Sequence, residues 1–196
     1  ITNELMPEGI KAAESDIYNF KLSRKRALAQ GITGTATPAG IVVGAAPIPI
    51  ADALVLSTVE VAMVNGLAQV YGIGKNEESK RFFNTIVEGG TVSAAAKTAI
   101  SALKAIPGVN IAASVLNAAI AGSFVAAIGE GTIYAFEQVY LGKKSLEDID
   151  WVQKVMESKI SIDFIEKVTS IIEKTTTNTD KKEIGKMILN LFSTKS

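Results

Sequence analysis

An all-α helical bundle is the fold class this sequence predicts, and three observations predict it. Apolar residues recur at helical spacing along most of the chain. Asn, Ser, Asp, Gly and Pro fall where helices start and stop. No stretch of alternating apolar and polar residues holds up as a strand.

The elements follow in order. Ile10, Ala13, Ile17 and Phe20 share a face, and Pro7 suits a first turn, so a helix is expected from Pro7 to about Gln30. A broken stretch with Gly31, Gly34, Pro38, Gly40 and Gly44 comes next, in which Pro38 to Ala46 is expected as a short apolar helix. Pro47-Ile48-Pro49 cannot be helical throughout, because each Pro disfavours the α conformation in its predecessor. These prolines and Asp52 form a structural turn motif, with Asp52 as an early-turn acid. A helix from Ile50 to Tyr71 should end at Gly72 and Gly74. Asn76 caps the next, which reaches about Glu88 and closes at Gly89-Gly90. Thr91 or Ser93 opens another to Ile106, stopped by Pro107-Gly108.

From Val109 or Asn110 a long helix is expected to run to Leu141, with Gly142 as its terminator. Ser114, Ala118, Gly122 and Ala126 recur every fourth residue along it. Such a stripe lets another backbone approach closely, and the helix over 50–71 is the expected neighbour. Ser145-x-x-Asp148 reads as a capping box for a helix to Ser158. Ser161 opens a helix with Ile162, Ile165, Val168 and Ile172 on one face. Thr175 to Thr179 is a linker, and Asp180 caps a last helix. The expected organisation is an apolar bundle over 1–142 and a C-terminal amphipathic subdomain over 143–196, with one continuous domain as the alternative.

Composition narrows the function. The 196 residues are 47% hydrophobic, enough for a full core, and carry no net charge, so nothing points to nucleic acid. There is no Cys and no His, which removes the commonest general base, metal ligand and nucleophile. No enzyme, metal or cofactor is expected. The first residue is Ile1 rather than Met, as expected of a fragment or processed product.

The short motifs agree. Gly142-Lys143-Lys144-Ser145 and Gly72-Ile73-Gly74-Lys75 resemble pieces of a phosphate loop, but each follows a helix, not a strand, and reads as a helix end. Ser101-Ala102-Leu103-Lys104 matches S-x-x-K without its companion motifs. Glu147, Asp148 and Asp150 suit the first turn of a helix without a metal.

Two stretches, Ala27–Ala51 and Ala105–Gly129, carry no charge, and each exceeds the ~20 residues a spanning helix needs. Both are rich in Gly, Ala, Ser and Thr, which suits close soluble packing as well as a bilayer. Gly40-x-x-x-Gly44 is a membrane-dimer signature only inside a true span. Lys21, Arg24, Lys25 and Arg26 stand before the first stretch. They are the candidate contact to anionic lipid or a partner, and a solvated helix face is the plainer reading.

A basic helix end, a Gly/Ala-rich stretch, Pro47-Ile48-Pro49-Ile50-Ala51-Asp52, an apolar helix to Tyr71 with Gly72, and the Ile106-Pro107-Gly108 turn occur in that order. This order resembles the helical domain of unknown function that follows the G domain in a group of Era-like bacterial GTPases. The resemblance covers about residues 5–140. It implies a non-catalytic module beside an upstream GTPase domain, in contact with a membrane or partner, in the cytoplasm or at the inner membrane. The alternative is a pore-forming or translocated effector whose hairpins, over about 32–72 and 92–136, insert into a bilayer. A homo-oligomer is compatible with either.

Overall fold

The computed structural model describes residues 8–46, 53–91, 93–106 and 111–192, and among them it contains eight helices and no strand. These are α1 (Glu8–Ala45), α2 (Ala53–Tyr71), α3 (Glu77–Thr91), α4 (Ala94–Lys104), α5 (Ala113–Tyr140), α6 (Ile149–Lys159), α7 (Ile162–Lys174) and α8 (Lys181–Phe192). The all-α bundle is therefore the observed architecture. Pro47, Pro49 and Asp52 of the turn motif, and the Pro107-Gly108 stop, lie outside the described residues.

Local chemistry sets most boundaries where the sequence places them. After α2, Gly72 takes φ +74°. Its N–H donates to the Gln69 carbonyl and that of Ile73 to the Ala68 carbonyl. Gly142, at φ +66°, closes α5 the same way, with Lys143 donating to Gln138. Both are left-handed glycine stops that satisfy the last carbonyls. Asn76 and Ser79 cap each other reciprocally, at 2.8 Å in both directions. Ser93 Oγ accepts from Ala96 N–H, and Asp180 accepts from the N–H groups of Lys182 and Glu183. Those two amides hold the Asp180 carboxyl below the usual carboxylate range, the Glu183 bond contributing most.

Two expectations are corrected. Ser145 does not open a helix: its N–H donates to Asp148 Oδ2 and its Oγ accepts from Glu147, closing a turn ahead of α6. The break expected after Gln30 is also absent. Helix α1 continues through Gly31, Gly34 and Pro38 to Ala45. A proline inside a helix costs about 3 kcal/mol. Packing offsets it here, because Ala29, Thr33, Thr37, Gly40, Ile41 and Gly44 form a buried inner face while Pro38 stays exposed. Tertiary contact overrides propensity.

Helix α5 is the hub. It touches each of the other seven helices, and from Ala118 to Ile128 every residue is buried. Its C-terminal half shares a core with α2, α3 and α6, centred on Phe82, Ile86, Phe136, Val152 and Met156. Its N-terminal half shares another with α4, α7 and α8, centred on Leu103, Phe124, Phe164, Ile171 and Ile188. The residues after 142 thus enter both cores.

Candidate functional site

The long contact in the molecule is the antiparallel crossing of α1 and α5, and the basic cluster sits at one end of it. Of the small-residue seam predicted on α5, Ala118, Gly122 and Ala126 are buried, while Ser114 is exposed. Its neighbour is α1, not the expected α2. A Cβ on Gly122 would lie 2.4 Å from Ile41 Cγ1 of α1 and 2.9 Å from Ile188 Cδ1 of α8. On the facing helix, a Cβ on Gly44 would stand 2.6 Å from both the Asn117 carbonyl oxygen and Ala121 Cβ. One on Gly40 would meet Val125 Cγ2 at 2.6 Å. The Gly40-x-x-x-Gly44 pair therefore serves close packing within this chain, the same physical use glycines have between membrane helices. Further along, Gly129 leaves room for Thr33, whose methyl group would be 2.4 Å from a Cβ there.

At the other end the four basic residues divide. Lys21 and Arg24 point outward and are exposed, with Arg24 lying 5.7 Å over the Phe20 ring. Lys25 and Arg26 turn inward. Arg26 grips Glu137 of α5 with both ends of its guanidinium, Nε to Oε1 at 2.8 Å and Nη2 to Oε2 at 2.5 Å. Glu137 is only 3% exposed and also accepts from the Tyr71 hydroxyl at 3.2 Å. Lys25 Nζ donates to the Val70 carbonyl in the last turn of α2 and stands 4.9 Å over the Tyr140 ring. A cation there also favours the negative end of α2.

Burial raises the Tyr71 phenol well above its ordinary range, and the Glu137 carboxylate adds to the shift. The hydrogen bond to Glu137 raises the Arg26 guanidinium further still. The phenol therefore stays neutral as a donor, and the network ties α1, α2 and α5 together. Removing one partner of such a pair costs about 3 kcal/mol, at the low end of the known range since Arg26 is 38% exposed.

The arrangement is a clamp between helices. Among the described residues, no group of three or more His, Cys, Asp or Glu side chains could hold a metal ion. Ser101 and Lys104 of the S-x-x-K match are both exposed on α4. Two open clefts meet at Glu130 and Phe192, of about 190 and 300 Å³; the second is also lined by Ser158, Lys159 and Asp163, and the Ser158 hydroxyl donates to the Val155 carbonyl of its own helix. Sequence reasoning missed Tyr71, Glu137 and Tyr140 as the partners of the basic cluster. One signal was available: Glu137 is one of two carboxylates, with Glu130, on a long helix that otherwise carries no charge.

Neither the comparison with curated proteins nor that with solved structures finds a match. A family model does match, over residues 15–176, and its description is a domain of unknown function, DUF697. Those residues run from within α1 to just past the end of α7, and so take in the first core, the whole clamp and all of the second core except what α8 contributes. The chain belongs to the DUF697 family, a domain of unknown function.

Proposed function

We propose that this chain is a non-catalytic helical module that acts beside an upstream GTPase domain and associates with a membrane or a partner protein. The observation that carries the reading is the unequal exposure of α1. Its inner face is packed on α5, while Ser15 to Lys21 is exposed residue after residue, including Ile17, Tyr18 and Phe20. A helix end that offers large apolar side chains to solvent is suited to contact something else. The link to a GTPase rests on the resemblance to the domain that follows Era-like G domains. Cytoplasmic or inner-membrane placement belongs to the same reading.

The test is titration of the chain against phosphatidylglycerol vesicles and against an Era-like G domain loaded with GDP or with a GTP analogue. Binding to either supports the module, and binding to the G domain that changes with the nucleotide supports its coupling to the GTPase. Silence in both overturns it.

A second reading is that of a membrane-active protein, favoured by one feature. Among the described residues α5 is the one helix long and apolar enough to cross a membrane, with mean hydropathy 1.4 over its best window. Of that window 67% is buried in the bundle, so insertion would require the bundle to open. Dye release from vesicles tests this, and intact vesicles at saturating protein remove it.

A further inference from the structure

The outward face of α1 is an unusual surface for a packed helix. Ile17, Phe20, Lys21, Arg24, Leu28 and Val42 fall on one stripe roughly 100° wide at 3.6 residues per turn. The four apolar members are 56, 60, 62 and 58% exposed. From Ile17 to Ala51 the sequence holds no Asp or Glu, and beyond Arg26 it holds no charge of any kind. The stripe from Ile17 to Val42 is roughly 37 Å long at 1.5 Å per residue. Its cations stand together near one end, and smaller residues such as Gly31, Thr35 and Ala39 separate Leu28 from Val42.

We infer that this face of α1 lies flat on an anionic lipid surface, with Ile17, Phe20, Leu28 and Val42 in the headgroup–acyl boundary and Lys21 and Arg24 on lipid phosphates. This rests on the association reading above and names its partner and its surface. Apolar side chains with cations on the same face suit an anionic interface, which needs no matching groove. A second copy of the chain suits it less, because the face has no carboxylate to set against Lys21 and Arg24. The binding is interfacial, since the opposite face of α1 is committed to α5 through Arg26, Gly40 and Gly44.

The experiment is co-sedimentation of the full chain with equimolar phosphatidylglycerol–phosphatidylcholine vesicles, at low and high salt. Phe20→Ser with Leu28→Ser should weaken binding by roughly a hundredfold, as two large apolar side chains lose their burial. Lys21→Ser with Arg24→Ser should weaken it by about thirtyfold at low salt, and abolish the salt dependence. Val61→Ser, a comparably exposed apolar position on α2, should leave binding unchanged. The chain has no Cys, so a polarity-sensitive dye can be placed on Thr35→Cys or, as a control, on exposed Ser158→Cys. The first should shift to the blue with vesicles and the second should not.

All the side chains changed are solvent-facing, and unaltered thermal unfolding shows that each variant folds. Wild-type chain that ignores these vesicles overturns both this inference and the membrane part of the association reading. Wild-type binding that survives the Phe20/Leu28 change, or falls equally with Val61→Ser, overturns this inference alone. A dimer that the Phe20/Leu28 change splits, without lipid dependence, makes the face a self-contact and overturns it too.

Discussion

Helices α1 and α5 run antiparallel along one seam, and its two ends are held together by opposite means. At one end Gly40 and Gly44 remove side chains altogether, so that backbone meets Asn117, Ala121 and Val125 directly. At the other, Arg26, Glu137 and Tyr71 fill the space with a partly buried, hydrogen-bonded ion pair. The glycine end gains dispersion contact and tolerates no added atom. The ionic end gains geometric definition, since a bidentate guanidinium fixes the register of α1 on α5. Close packing makes the seam tight, and the ion pair says where along it the helices stop.

The largest effect should come from the tight end. Gly44→Leu drives a branched side chain into the Asn117 backbone, and urea unfolding should show a loss of about 3 kcal/mol or more. A loss under 1 kcal/mol would mean the helices are not in close contact there. Next comes the ionic end: Glu137→Gln should cost about 3 kcal/mol by the same measurement, whereas Arg26→Leu with Glu137→Leu should recover most of that loss. If the double variant is as unstable as the single, the pair contributes net stability of its own.

Tyr71 sharpens the contrast through pH. Its pKa is raised in the fold, so below about pH 10 both states hold the proton and no stability is lost. Above that the unfolded phenol ionises first, and stability should fall by about 1.4 kcal/mol per pH unit. Urea melts of wild type and Tyr71→Phe from neutral to alkaline pH should differ by that slope, and parallel curves would refute the burial of the hydroxyl. The smallest effect lies between the two ends. A Cβ on Gly34 meets nothing within 4 Å, so Gly34→Ala should stabilise α1 by about 0.5–1 kcal/mol. Destabilisation would mean that α1 breaks there.

Much of the fold was legible because its signals are local. Asn76, Ser93 and Asp180 act on amides two or three residues away, and Gly72 and Gly142 act within their own turn. Pro38 was misleading for the complementary reason. Local rules count its missing N–H and cannot count the buried face opposite it. The basic cluster was legible as a cluster, and its division into an outward and an inward pair was not.

The sequence by itself determined that the chain is helical, where most helices begin and end, and that α5 carries a seam of small residues. It also carried a resemblance, over about residues 5–140, to a helical domain of unknown function. Only the tertiary structure decided that this seam meets α1 and not α2, and that Gly40 and Gly44 pack within one chain. It likewise turned Arg26 toward Glu137 and left Lys21 and Arg24 outside. The reason is physical: helical periodicity assigns each residue a face, but the partner of that face is chosen by long-range packing across the whole bundle.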